Sequence, residues 1–165
     1  MNALSLDLIN SRSPYLVKQV NGGYEFTTDS GVRYRIRFLQ EDKIGGCDTY
    51  QFAISKLDNI RFGHDSQVSS TTFVVIEEFF RANQSVLLYY CDATDHREAS
   101  RSRLFIRWFE KGADPTRFTI RTAHAIVEDQ GIYVAIIIEN NNPKLKDVLE
   151  DFDSTAASLT EDKPQ

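Results

Sequence analysis

Residues of the types that do chemistry gather in one short stretch, Cys91-Asp-Ala-Thr-Asp-His-Arg97. Five residues between a thiol and a guanidinium, placed between a strand and a helix start, match the spacing that activates a cysteine for phosphate chemistry. There the helix dipole and the arginine lower the thiol pKa and hold phosphate oxygens. The intervening residues oppose this, because Asp92 and Asp95 bring negative charge where a phosphate needs bare amides. Cys91 reads instead as a small buried hydrophobe. Asp92, Asp95 and His96, joined by Glu128 or Asp129, also have the oxygen-and-imidazole character that suits magnesium or manganese. Asp95 is better explained as a helix cap and His96 as a solvent-facing first-turn residue, so no metal site is assigned. His124 shares a strand face with Ile120 and Ile126 and reads as a buried, satisfied histidine. No Ser-His-Asp spacing can be built, and no catalytic residue is assigned.

Arginines form two further groups. Arg33, Arg35 and Arg37 project from one face of a strand, and Glu25 and Thr27 on its neighbour pair across from them. A later helix carries Arg97, Arg101, Arg103, Arg107 and Lys111, interrupted by Glu98 and Glu110. Those acids favour a solvated helix face over a docking surface for an acidic partner. Cys91, Asp92, Asp95, Arg97, Arg101 and Arg103 together make the candidate ligand or partner surface.

The elements that must position these residues follow from periodicity. Residues 1 to 14 show no clean period. Tyr24–Thr28 and Val32–Phe38 read as a hairpin. A three-residue Asp29-Ser30-Gly31 loop with Gly31 left-handed sets Phe26 opposite Tyr34 and Glu25 opposite Arg35. A two-residue loop would mix the two faces. Glu41–Asp48 reads as a loop leading to a third strand, in which Tyr50, Phe52 and Ile54 share a face. A helix is predicted over Val68–Ala82, with Val68, Val75, Ile76 and Phe79 along one side. Val86–Cys91 is apolar on both faces, as an interior strand is. Asp95-His-Arg-Glu98 opens a second helix that ends at Gly112, its stripe being Leu104, Phe105, Trp108 and Phe109. Phe118–Val127 and Ile132–Ile138 form a hairpin across Glu128–Gly131. Asn142 then caps a last helix with Pro143 at its first position, carrying Leu145, Val148, Leu149 and Phe152. The order β-β-β-α-β-α-β-β-α predicts an α+β fold: one domain over residues 1–152, a mixed, mostly antiparallel sheet with helices on both faces, and a frayed acidic tail at 153–165.

Composition agrees. The chain has 165 residues, 41% hydrophobic and 26% charged, which suffices to bury a core without disulfide or metal. Apolar runs such as Val134–Ile138 are too short to cross a bilayer, and no charged-then-apolar leader opens the chain. From Asp147 onward six acids face Lys163 alone, so the whole net charge of -5 lies there and the preceding residues are neutral. A neutral body argues against nucleic acid as partner. Two cysteines, Cys47 and Cys91, both read as free thiols, fit a reducing cytoplasm.

The element order over residues 24–139 resembles the GNAT type of acyltransferase. The stretches Tyr24-Glu-Phe-Thr-Thr-Asp-Ser-Gly31, Val86-Leu-Leu-Tyr-Tyr-Cys-Asp92 and Arg107-Trp-Phe-Glu110 are similar to a family of small bacterial proteins of unknown function. The acyltransferase resemblance implies acetyl-CoA as cofactor, its pyrophosphate held on backbone amides at a helix N-terminus. The family's loop reads Arg/Gln-x-x-Gly-x-Gly/Ala; the matching stretch here is Arg61-Phe-Gly63-His-Asp65-Ser66-Gln67. One small residue is missing from the pattern, and Asp65 or Ser66 reads as a helix cap. The expected function is therefore a cytosolic module that binds a protein partner or a small ligand, a degenerate acyltransferase scaffold. Its alternative is an acyl-CoA-dependent N-acetyltransferase holding the cofactor at Arg61, Gly63 and Ser66.

Overall fold

Seven strands form one sheet, most of them built on alternating apolar residues. The computed structural model describes residues 1–59, 65–91, 106–107 and 109–161. The strands are β1 (Lys18–Val20), β2 (Gly23–Thr27), β3 (Arg33–Ile44), β4 (Cys47–Lys56), β5 (Val86–Cys91), β6 (Phe118–Val127) and β7 (Gln130–Glu139). The helices are α1 (Leu6–Asn10), α2 (Ser66–Ala82) and α3 (Leu145–Glu161), and residues 106–107 and 109–112 are also helical. Strand order is β1-β2-β3-β4-β5-β7-β6. β4 and β5 run parallel, whereas β1–β2, β2–β3, β5–β7 and β6–β7 run antiparallel. The α+β class and the mostly antiparallel sheet are as the sequence predicts.

Two compact units divide the chain. The first comprises Met1–Leu39 and Phe52–Gln84. Its hairpin has the predicted register, with Phe26 opposite Tyr34 and Glu25 opposite Arg35. Gly31 is left-handed at φ 83°, and Thr28 N–H donates to the Val32 carbonyl across the loop. Every residue of the predicted α2 stripe (Val68, Val75, Ile76 and Phe79) is buried. Phe79 stacks on Phe38 with ring centroids 4.8 Å apart, and Tyr15, Phe26 and Tyr34 form a ladder of stacked rings.

The first residues show no period in the sequence, yet Leu6–Asn10 form a short helix ahead of an irregular Ser11–Pro14. Ser5 caps α1 through its side chain, and Asn10 brackets Val17 with a bond to its N–H and another to its carbonyl. A five-residue helix is too short to show a period, and β1 is held by pairing with β2 rather than by its own pattern. Glu78, buried on α2, accepts from Ser5 N–H at 2.9 Å and from Arg81 at 2.6 Å. The Arg81 guanidinium, chiefly, holds the Glu78 carboxyl below the usual carboxylate range. A depressed folded pKa means that this stabilisation is complete above the unfolded value of about 4.3 and is lost as pH falls through the folded one. Between about pH 6 and pH 3 the urea midpoint of the wild type is therefore expected to fall more steeply than that of Glu78→Gln. Parallel midpoint curves would show that the pair contributes nothing.

The second unit comprises Gln40–Gln51 and Ser85–Gln165. Its core gathers Cys47, Val86, Ile136, Ile138, Val148 and Phe152. Phe109 meets Phe118 edge-on at 5.1 Å. Strand alternation puts Phe118 on the sheet face opposite Ala123, which packs with the α3 core, so this unit carries helical residues on both faces.

Three readings change here. Glu41–Asp48 is a tight hairpin rather than a loop. β3 continues to Ile44, β4 begins at Cys47, and Gly45-Gly46 form the turn with φ of 56° and 73°. Two adjacent left-handed residues are what a two-residue hairpin turn requires. Residues 153–161, read as tail, continue α3 to Glu161, and Arg121 ties that helix to β6 through Asp153 at 2.8 Å. His124, read as buried, is exposed, as is Ile126 at 51%. The apolar face of β6 is covered at Phe118 and open toward the β6–β7 turn, where the His124 ring lies 4.5 Å from Tyr133.

Candidate functional site

The first unit opens a pocket of about 490 Å³ where the β2–β3 turn meets the start of α2. Tyr15, Asp29, Tyr34, Lys56, Asp65 and Gln67 are among its lining residues. Asp65 is the N-cap of α2 in extended backbone, and its Oδ1 accepts from Gln67 N–H at 2.9 Å. Its other oxygen, Oδ2, accepts from the Tyr15 hydroxyl at 2.6 Å. Both oxygens of this carboxylate thus have partners, and the helix dipole stabilises its charge.

That charge is felt by the neighbouring phenols. The hydrogen bond to Asp65, followed by burial, raises the Tyr15 pKa above its ordinary value. Burial, then Asp65, does the same for Tyr34. Two carboxylates, two tyrosines and Lys56 therefore surround the opening, with the acid seated at the positive end of the helix. The two carboxylates offer acceptors to a cation and oppose an added anion.

Of the residues singled out for acyl-CoA, Ser66 is the first residue of α2, while Arg61 and Gly63 lie outside the described residues. The backbone carbonyl of Ser66 accepts from the hydroxyls of Ser69 and Ser70. Of the second group, Cys91 ends β5, and Asp92, Asp95, Arg97, Arg101 and Arg103 lie outside the described residues. Arg107 and Lys111, from the same predicted helix, are exposed. Among the described residues no three His, Cys, Asp or Glu side chains converge as a metal would need.

The arginine row of β3 is largely paired within the unit. Arg33 meets Asp58 at 3.1 Å and holds its carboxyl below the usual range, and Arg35 meets Glu25 at 2.5 Å. Glu25 was foreseeable from the hairpin register; Asp58 was not, because it arrives from beyond the end of β4. Tyr15 was also missed. Fifty residues separate it from Asp65, and only the N-terminal segment packed against α2 brings them together.

Comparison with known families finds one described as "Family of unknown function (DUF6169)", matching residues 64–154. The match takes in α2, the Cys91 stretch and most of α3, but not Tyr15 or the β2–β3 hairpin. No curated protein matches the chain. Among the described residues no helix is long and apolar enough to cross a membrane.

Proposed function

We propose that this chain, which belongs to the Family of unknown function (DUF6169), is a binding module on an acyltransferase-like frame that receives a small cationic ligand at the start of α2. The frame is supported by the strand order and by one parallel pair, β4 and β5, within an otherwise antiparallel sheet. The helix after β4 is the one whose first amides would take a cofactor pyrophosphate in a transferase of that type. In this chain the Asp65 carboxylate already accepts from one of those amides, Gln67 N–H, and from the Tyr15 hydroxyl. That single arrangement carries the reading. A phosphate would have to displace a charged cap of its own sign, which removes the gain that the dipole provides. An ammonium or guanidinium group meets Asp65 and Asp29 with complementary charge.

The experiment is thermal unfolding with two probes, spermidine and acetyl-CoA. Spermidine is expected to raise the melting temperature of the wild type but not of Asp65→Ser, which keeps a capping hydroxyl without the charge. Acetyl-CoA is expected to leave the wild type unmoved. The strand order favours a second reading, an acyl-CoA-dependent N-acetyltransferase with Arg61, Gly63 and Ser66 at the cofactor. It predicts the reverse: acetyl-CoA stabilises the protein, and Gly63→Asp abolishes the effect.

A further inference from the structure

β6 is the terminal strand of the sheet, and its ten residues pair with β7 in unbroken register from Phe118↔Glu139 to Val127↔Gln130. Asn140 N–H donates to the Arg117 carbonyl one step before that register begins. In an antiparallel ladder the bonded pairs alternate. The odd-numbered residues of β6 therefore bond to β7, and Ile120, Thr122, His124 and Ile126 direct their N–H and carbonyl groups away from it.

An outer edge of this kind is normally blunted by proline, lysine, a bulge or an inward charge. Thr119–Val127 contains no proline, lysine or bulge. Its one arginine, Arg121, is held to α3 by Asp153. Ile126 stands 51% exposed on the strand.

We infer that this edge pairs with the same edge of a second copy, in antiparallel register about a twofold axis at Ala123. A twofold perpendicular to the sheet keeps each face on its own side, so residues of equal parity meet. Ile120 then lies opposite Ile126 and Thr122 opposite His124, each pair joined through the outward backbone groups. On the α3 face Arg121 lies opposite Ala125, and the two arginines stay apart. The register thus covers the exposed isoleucine, sets no two charged side chains of β6 opposite each other and satisfies the outward groups of Ile120, Thr122, His124 and Ile126. Strand pairing of this length falls at the small end of specific interfaces, near about 1,000 Å², so the dimer is reversible and concentration-dependent.

Sedimentation velocity from micromolar to sub-millimolar concentration tests this. The wild-type mass should rise from the 18.9 kDa of one chain toward twice that. Thr122→Pro removes an N–H that faces away from β7, so it should hold the protein monomeric while the circular dichroism is unchanged. Ile126→Lys, at an exposed position, is the second variant and should do the same if the proline variant does not fold. A wild type that stays monomeric at every concentration, or dimers undiminished in the folded variants, would overturn the inference.

Discussion

Gly45→Ala is expected to destabilise the protein by about 3 kcal/mol or more, whereas Gly46→Ala costs only about 1 kcal/mol. Both glycines sit in the β3–β4 turn with positive φ, so both alanines incur the left-handed strain. They differ in what surrounds them. A Cβ on Gly45 would stand 2.5 Å from the Asp147 carbonyl carbon and from the Val148 nitrogen, which are backbone atoms of α3 that no rotamer change can move. A Cβ on Gly46 would meet nothing within 4 Å. The Gly45 N–H also donates to Asp151 Oδ2 at 2.7 Å, so withdrawing the turn from α3 loses a hydrogen bond to a charged group. Urea denaturation of the two variants measures the difference. Equal losses would mean that the turn does not pack against the helix.

The second large effect is expected at Phe79, which is fully buried and stacks on Phe38 and edge-on against Phe80. Phe79→Ala should cost about 3–5 kcal/mol, from lost transfer energy and the cavity left among rings that cannot collapse onto it. Phe79→Leu retains most of the volume and should cost clearly less. The same denaturation experiment checks both, and a loss below about 1.5 kcal/mol for the alanine variant would show that the ring cluster is not the core of this unit.

Gly31 and Gly45 both mark hairpins, and only the first is legible in the sequence. Gly31 lay between two alternating strands whose facing residues restrict the loop length, so the whole β2–β3 register followed. Gly45-Gly46 is an equally strong turn signal, but Gln40–Lys43 is polar and shows no alternation, so the pattern predicts loop where β3 extends. The stripe of α2 was legible because one side of it is continuously apolar. The outer turns of α3 were not, because Asp153–Ala157 is polar and small and is held by the rest of the helix and by Arg121. His124 and Ile126 share the alternation of a buried strand face without the cover, and a period reports which side a residue faces, not what lies over it. The candidate pocket was half legible. Asp65 could be named as a cap from its place before the apolar stripe, but its bond to Tyr15 depends on a contact fifty residues away.

We propose a start of α2 that is closed to a phosphate by its own cap and open to a cation. Backbone amide NMR at Gln67 and Val68 tests it most directly, with acetyl-CoA and spermidine added in separate titrations to the wild type and to Asp65→Ser. Spermidine should shift these two signals in the wild type in a saturable way, and the Asp65→Ser variant should weaken that response at least about tenfold, while acetyl-CoA leaves the wild-type signals in place. Saturable shifts of Gln67 and Val68 with acetyl-CoA, and none with spermidine, would contradict the account and establish the helix start as a cofactor site.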